Sequence, residues 1–279
     1  MTVRADAHIH LFAGGYQGGS FTSRAGVSID EAACYDSLAR EHHVTAALVV
    51  GYGAEAWCAS NNAYLAQQCL RYDWIRPVAY VDIDSVPTLE GLEILQAQGF
   101  VGISLYIFGD AAGQLARIPA EFWHWLDERR WMVSINSQDD RWAAWQPVLE
   151  RSPRLRLLMS HLGLPPAATS PPSREQSAAS VRHVTALAKY PDVCVKLSGF
   201  YALCAHQHDY PHEAAWPYVE RLVEAFSSGR LLWGSDYSPC LDWVSFPQTY
   251  DLFSKMPFLT DNDAAQITGN NLLAMLTQE

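Results

Sequence analysis

The chain has 279 residues, 49% of them hydrophobic and 18% charged, and a formal net charge of −11; it is long enough for one large buried core. That acidity excludes nucleic acid and anionic membrane as partners, because a polyanion is repelled where no basic patch gathers. The six cysteines are scattered with no Cys-x-x-Cys pair, which suggests neither a disulfide framework nor a zinc knuckle, and an N-terminus that turns acidic and then His-bearing where a leader would be apolar points to the cytoplasm.

Short apolar runs alternate with longer amphipathic segments eight times along the sequence. The first run, residues 3–11, reads as a strand and is followed by a loop carrying Gly14, Gly15, Gly18 and Gly19. Ser28 and Asp30 are candidate caps for a helix over 31–41, and 44–51 is the second strand. A helix over 57–72, a strand over 77–82 and a helix over 86–98 that stops at Gly99 come next. Residues 100–106 form the fourth strand, 119–130 a helix, 131–136 the fifth strand, 141–150 a helix and 155–160 the sixth strand. The segment 164–174 carries four prolines and is a long loop, since proline fits neither a helix interior nor a central strand. A helix over 175–189, a strand over 193–197, a helix over 213–226 and a strand over 231–233 follow, and short helices near 247–255 and 261–276 close the chain.

Eight strand-then-helix units, with strands apolar enough to be covered on both faces, are the pattern of a single-domain parallel (β/α)8 TIM barrel. No Gly-x-Gly-x-x-Gly follows the first strand, so a dinucleotide-binding open sheet is rejected. A barrel builds its site at the C-terminal ends of its strands, and side chains alternate between interior and helix layer. That parity turns His8 and His10 inward on strand one, Asp82 on strand three, Ser104 and Tyr106 on strand four, Asn136 on strand five, Lys196 on strand seven and Asp236 on strand eight. His161 ends strand six. Strands one and eight are neighbours in a closed barrel, which brings Asp236 beside His8 and His10. One carboxylate and two imidazoles can hold a single divalent ion, zinc first, that turns bound water into hydroxide. The same trio also works without metal, as a general base and then a general acid.

His8-Ile9-His10, Ser160-His161-Leu162-Gly163, Val195-Lys196-Leu197-Ser198-Gly199 and Leu232-Trp233-Gly234-Ser235-Asp236-Tyr237 resemble, in order and spacing, the signatures of the amidohydrolase superfamily. The resemblance extends to Gly269-Asn270-Asn271-Leu272 and is strongest to the lactonase branch, which includes 2-pyrone-4,6-dicarboxylate lactonases and sugar lactonases. It implies the barrel fold, hydrolysis, and strand-end roles for the residues in these motifs. Three departures narrow it. Binuclear members carry a bridging Lys on strand four, where this chain has Ser104 and Tyr106, so at most one ion is expected. Metal-dependent members commonly carry a His where Asn136 stands. The dicarboxylate lactonases have Arg at the places of Ser104 and Ala202, and without that two-point carboxylate clamp a neutral or monoanionic lactone is expected.

The residues expected to carry hydrolysis are Asp236 as base, with His161, His8 and His10 polarising the carbonyl. Tyr106, Asn136, Ser104, Tyr237 and Asp242 are expected to bind substrate, and His8, His10 and Asp236 to hold the metal if there is one. Lys196 is expected to pair with an interior carboxylate such as Asp6 or Asp82 rather than to act as a Schiff base. His206, His208, His212, Tyr201 and Asp209 read as an exposed polar loop, and the tryptophans as packing between helices and barrel. Two other readings stay open: a metal-dependent non-oxidative decarboxylase, and a degraded barrel that only binds a small molecule. Assembly into a homo-oligomer is also left open.

Overall fold

A computed structural model of the protein describes residues 2–17 and 28–277, so Gly18 and Gly19 of the expected glycine-rich loop lie outside the described residues. Among these residues eight strands form one parallel sheet in sequence order. They are β1 (Arg4–Ile9), β2 (Val44–Val50), β3 (Ile75–Tyr80), β4 (Gly102–Ile107), β5 (Met132–Ser137), β6 (Arg156–Met159), β7 (Val193–Leu197) and β8 (Leu231–Trp233). The ends of the sheet meet: Ile9 bridges Tyr237 in parallel, and the Asp236 amide donates to the His8 carbonyl at 2.8 Å. The result is the (β/α)8 barrel that the alternation implies.

Helices α1 (Glu31–Glu41), α2 (Asn61–Gln68), α3 (Leu89–Ala97), α4 (Ala111–Arg117), α5 (Ala120–Glu128), α6 (Gln146–Arg151), α7 (Arg174–Thr185) and α8 (Trp216–Phe226) cover the barrel, and α9 (Gln248–Asp251), α10 (Asp261–Ala265) and α11 (Asn271–Thr277) complete the chain. Their starts follow side-chain chemistry. Asp30, not Ser28, caps α1 by accepting from the Ala33 amide, and Ser173 with Gln176 forms a reciprocal capping box on α7. The segment expected as one helix over 57–72 splits into a 3-10 turn, Ala56–Cys58, and α2. A helix that periodicity did not suggest, α4, starts where Asp110 accepts from the Gly113 amide. The proline-bearing loop is tied to the loop after β7 by backbone bonds from Ala168 to Leu203 and from Ala205 to Ala168, each 3.0 Å.

The branched strand residues face outward. Ile103, Leu105, Val133, Ile135, Val193, Val195 and Leu197 pack with the helices, including Val219, Leu222 and Phe226 of α8; burial of each such side chain is worth about 1.5–3 kcal/mol. Trp142 and Trp145 are fully buried in the same layer, the packing role expected for them. A second, smaller cluster of Ala5, Ala46, Leu48, Val78, Leu158, Cys194 and Leu232 fills the lower barrel interior, closed by Leu272 of α11. Arg156 ties that end by donating to the Met275 carbonyl at 3.1 Å. Apolar filling below leaves the polar strand residues to collect at the opposite, C-terminal end.

Strand β1 departs from simple alternation. The pairing of β1 with β2 shifts register between Asp6 and Ile9; Ala5 and Ala7 pack in the interior cluster, whereas Asp6 accepts from Tyr35 of α1 at 2.9 Å. An irregularity of this kind re-aims the residues beyond it, so His8 points inward although Asp6 does not.

Candidate active site

Four strand ends converge on the Asp236 carboxylate. His8 Nε2 and His10 Nε2 each lie 3.7 Å from Asp236 Oδ1 and 3.2 Å from one another. Tyr201, from the loop after β7, donates its hydroxyl to Oδ2 at 2.6 Å. His161, Leu162 and Asp236 have φ of 52°, 58° and 61°, left-handed conformations that non-glycine residues adopt at a cost and that cluster at functional sites.

Two motif glycines are explained by close approach. A Cβ on Gly199, whose φ is +64°, would stand 2.6 Å from His161 Nδ1, and one on Gly234 would stand 2.6 Å from the His8 Cβ. Only glycine lets the β7 and β8 ends come this near the two rings.

The hydrogen-bond partners assign proton positions. His10 Nδ1 lies 2.7 Å from the Val50 carbonyl, which can only accept, so Nδ1 carries the hydrogen and the Nε2 lone pair faces the site. Lys196 donates to Ser134 Oγ at 2.6 Å and lies 3.2 Å from His8 Nδ1, with Ser160 Oγ 3.4 Å from that same nitrogen. Its expected partners, Asp6 and Asp82, are placed elsewhere: Asp6 is held by the Tyr35 hydroxyl and by the His8 and Ser235 amides, and Asp82 lies exposed beyond β3. Strand alternation put both inward; the β1 irregularity removed the first and the early end of β3 the second.

Burial dominates the electrostatics. It pushes His8 well below the ordinary histidine value, with Lys196 adding to the effect, and it lowers His10 and His161 against the opposing pull of Asp236. The three imidazoles are therefore neutral at neutral pH, as metal ligands and hydrogen-bond partners must be. Burial also brings Lys196 down to about 7 and Asp6 up to about 6.

His8, His161 and Asp236 each present one ligand atom within 4.8 Å of one another, a cluster suited to a single divalent ion. His161 thus belongs with the possible ligands, and His10 stands beside them. Ser104 Oγ donates to the Gly51 carbonyl at 2.6 Å and is fully buried, so β4 supplies no bridging group.

A pocket of about 320 Å³ opens above this floor, lined by His10, Asn136, His161 and Asp236 below and by Phe12, Tyr16, Tyr52, Glu55, Trp57, Tyr106, Phe108, Tyr201 and Pro239 around and above. Of the residues expected to bind substrate, Tyr106 and Asn136 line it. Three do not. Ser104 points inward but sits one layer too deep; Tyr237 is buried against α1 with its hydroxyl on the Glu31 carbonyl; Asp242 closes a 3-10 turn, Pro239–Asp242, and is not among the lining residues, although its charge reaches Tyr16. The aromatic wall of Phe12, Tyr16, Tyr52, Trp57 and Phe108 was not anticipated. Nor was Glu31, which is buried and accepts from the Phe12 amide at 2.7 Å, from the Tyr16 amide at 2.9 Å and from Ser238, tying the loop after β1 to the loop after β8. Burial raises its carboxyl pKa.

The sequence matches the profile of the Amidohydrolase family over residues 5–276. The chain belongs to that family. This amidohydrolase is 34% identical over 87 residues to an L-fucono-1,5-lactonase of Burkholderia ambifaria, a match covering 31% of this chain and 28% of that protein. In fold it is similar to an amidohydrolase of Burkholderia multivorans solved with bound zinc, at 17% identity, covering 98% of both chains with a TM-score of 0.80. It also resembles a Pseudomonas putida protein described as a 2-pyrone-4,6-dicarboxylic acid hydrolase, at 22% identity, covering 99% of this chain and 97% of that one with a TM-score of 0.72. Among the described residues of this amidohydrolase, no helix is long and apolar enough to cross a membrane.

Proposed function

We propose that this amidohydrolase opens a small neutral lactone, with Asp236 as general base. The observation that carries the reading is the Asp236 carboxylate at the pocket floor, with Oδ2 tied to Tyr201 and Oδ1 facing His8 and His10. In the first step Oδ1 takes a proton from water as the water oxygen attacks the ring carbonyl. His8 and His10, packed against the same carboxylate oxygen, set the edge at which that water is held. His161, whose Nδ1 lies 3.0 Å from Ser198 Oγ, stands at the pocket floor to polarise the carbonyl and the oxyanion that develops from it. In the second step the acyl carbon–ring oxygen bond breaks and Asp236 returns its proton to the departing ring oxygen. Water has then been added across the ester, and the released hydroxy acid ionises in solution. A single divalent ion, zinc first, held by His8, His161 and Asp236 beside His10, would supply Lewis-acid polarisation and a more acidic water.

The pocket supports a neutral substrate. Among its described lining residues there is no Lys or Arg, the groups that would hold a second carboxylate. Its aromatic walls can stack on the C–H face of a sugar ring, and Tyr52, Asn136 and Glu55 offer polar atoms to hydroxyl groups. The partial match to an L-fucono-1,5-lactonase supports beginning with sugar lactones.

The test is proton release from a panel of 1,5- and 1,4-lactones of six-carbon and 6-deoxy aldonic acids, with 2-pyrone-4,6-dicarboxylate alongside. Neutral lactones should turn over, and Asp236→Asn should lower kcat by about 1,000-fold or more while the variant melts as the parent does. An Asp236→Asn protein that keeps a tenth of parental activity, or a panel in which only the dicarboxylate reacts, would refute the proposal.

A further inference from the structure

The pocket lining carries two acidic side chains, Asp236 at the floor and Glu55 at the mouth, and no Lys or Arg among the described residues. Glu55 is exposed, yet its position is set by the pocket walls themselves. Oε1 accepts from the Tyr52 hydroxyl at 3.2 Å and Oε2 from Trp57 Nε1 at 2.9 Å. Both donors line the same pocket, so the charge is fixed at its entrance instead of sweeping through solvent. Two of the four carboxylate lone-pair sites remain open to a ligand. The field reaches across the pocket: burial and then Asp236, Asp242 and Glu55 raise the pKa of the Tyr16 hydroxyl on another wall.

Lactone opening makes this charge consequential. Opening the ring frees one further hydroxyl and leaves an open chain with the substrate's other hydroxyl groups unchanged; at neutral pH it also turns an uncharged ester into a carboxylate. A site that recognised only the hydroxyl groups common to both would still hold the product after the ring opens. We propose that Glu55 is a specificity-determining residue of this pocket: its fixed negative charge at the mouth favours the neutral lactone over the hydroxy acid formed from it, speeding product release and excluding lactones that bear a free carboxylate. The assignment rests on the lactonase reading above. Like charges at a partly exposed mouth, screened by water and salt, correspond to roughly three- to ten-fold in relative affinity, and the effect fades as ionic strength rises.

The experiment compares the parent with Glu55→Gln on whichever neutral lactone of the panel turns over best, with the sodium salt of its own hydroxy acid as inhibitor, at low and at high sodium chloride. The readout is the ratio of product Ki to lactone KM. In Glu55→Gln this ratio should fall roughly three- to ten-fold at low salt; in the parent it should fall on adding salt, and in the variant it should respond less. If Glu55 only braces Tyr52 and Trp57, its replacement loosens lactone and acid together, and a ratio unchanged at both salt concentrations overturns the assignment while leaving the lactonase reading intact. Absence of turnover on every lactone overturns the lactonase reading and this assignment with it.

Discussion

Gly199→Ala is the sharpest probe of how the site is assembled, because its cost can be worked out from two separate causes. The residue sits at φ +64°, and an alanine there costs about 1–2 kcal/mol for the left-handed backbone alone. The added methyl would also stand 2.6 Å from His161 Nδ1 and 3.3 Å from Cγ and Cε1. The ring has little room to yield, since its centroid is 4.6 Å from that of His8 and Nδ1 is held by Ser198. Overpacking of this kind adds about 1–3 kcal/mol, so the single substitution should cost about 3 kcal/mol. At about 2–4 °C per kcal/mol for a domain of this size, Tm should fall by roughly 6–12 °C. Turnover should drop on the order of 100-fold as the ring is displaced. A double-mutant cycle separates the causes: in a His161→Ala background the methyl meets no ring, only the backbone cost remains, and the coupling energy should be about 2 kcal/mol. Equal losses of Tm in the two backgrounds would refute the argument that this glycine exists to admit His161.

Three further outcomes are expected. Glu31→Gln must set an amide NH2 against the Phe12 or the Tyr16 backbone N–H, costing about 1–3 kcal/mol and, because both residues line the pocket, raising KM more than it lowers kcat in steady-state kinetics. His212 is buried, with no hydrogen-bond partner for Nδ1 among the described residues, and burial pushes it down to about 4; the unfolded chain therefore binds the extra proton first, and stability that is full above pH 6.5 declines as pH falls towards 4. His212→Asn, which tolerates the φ of 63°, should flatten that decline by up to about 2 kcal/mol after solvent screening in denaturant titrations, and identical pH slopes would show that the ring does not titrate this way. Elemental analysis before and after chelation should return no more than one divalent ion per chain, because the Ser104 hydroxyl is committed to the Gly51 carbonyl; two ions at full occupancy would show that β4 does not bar a binuclear centre.

The floor of the site was legible in the sequence and its mouth was not, and the difference lies in what orients each side chain. Tyr106 and Asn136 lie within β4 and β5, where alternation decides direction with no knowledge of the neighbours, and His161 and Asp236 follow β6 and β8 closely enough for barrel closure to gather them at the same end. The same rule failed where its assumptions failed. The register shift in β1 turned Asp6 to Tyr35, and Ser104 has the right face but the wrong depth, which alternation does not encode. Tyr52, Glu55 and Trp57 lie on a loop whose shape comes from hydrogen bonds to one another, while Phe12 and Tyr16 are set by a carboxylate 19 and 15 residues away in sequence. No periodicity reports such contacts. Tyr201 shows the consequence for function: as one polar residue in a His-rich loop it was unremarkable, yet it donates to Asp236. The polar groups at the strand ends are therefore ones a pattern can find, whereas the loop groups that wall the pocket have partners that appear only in the folded chain.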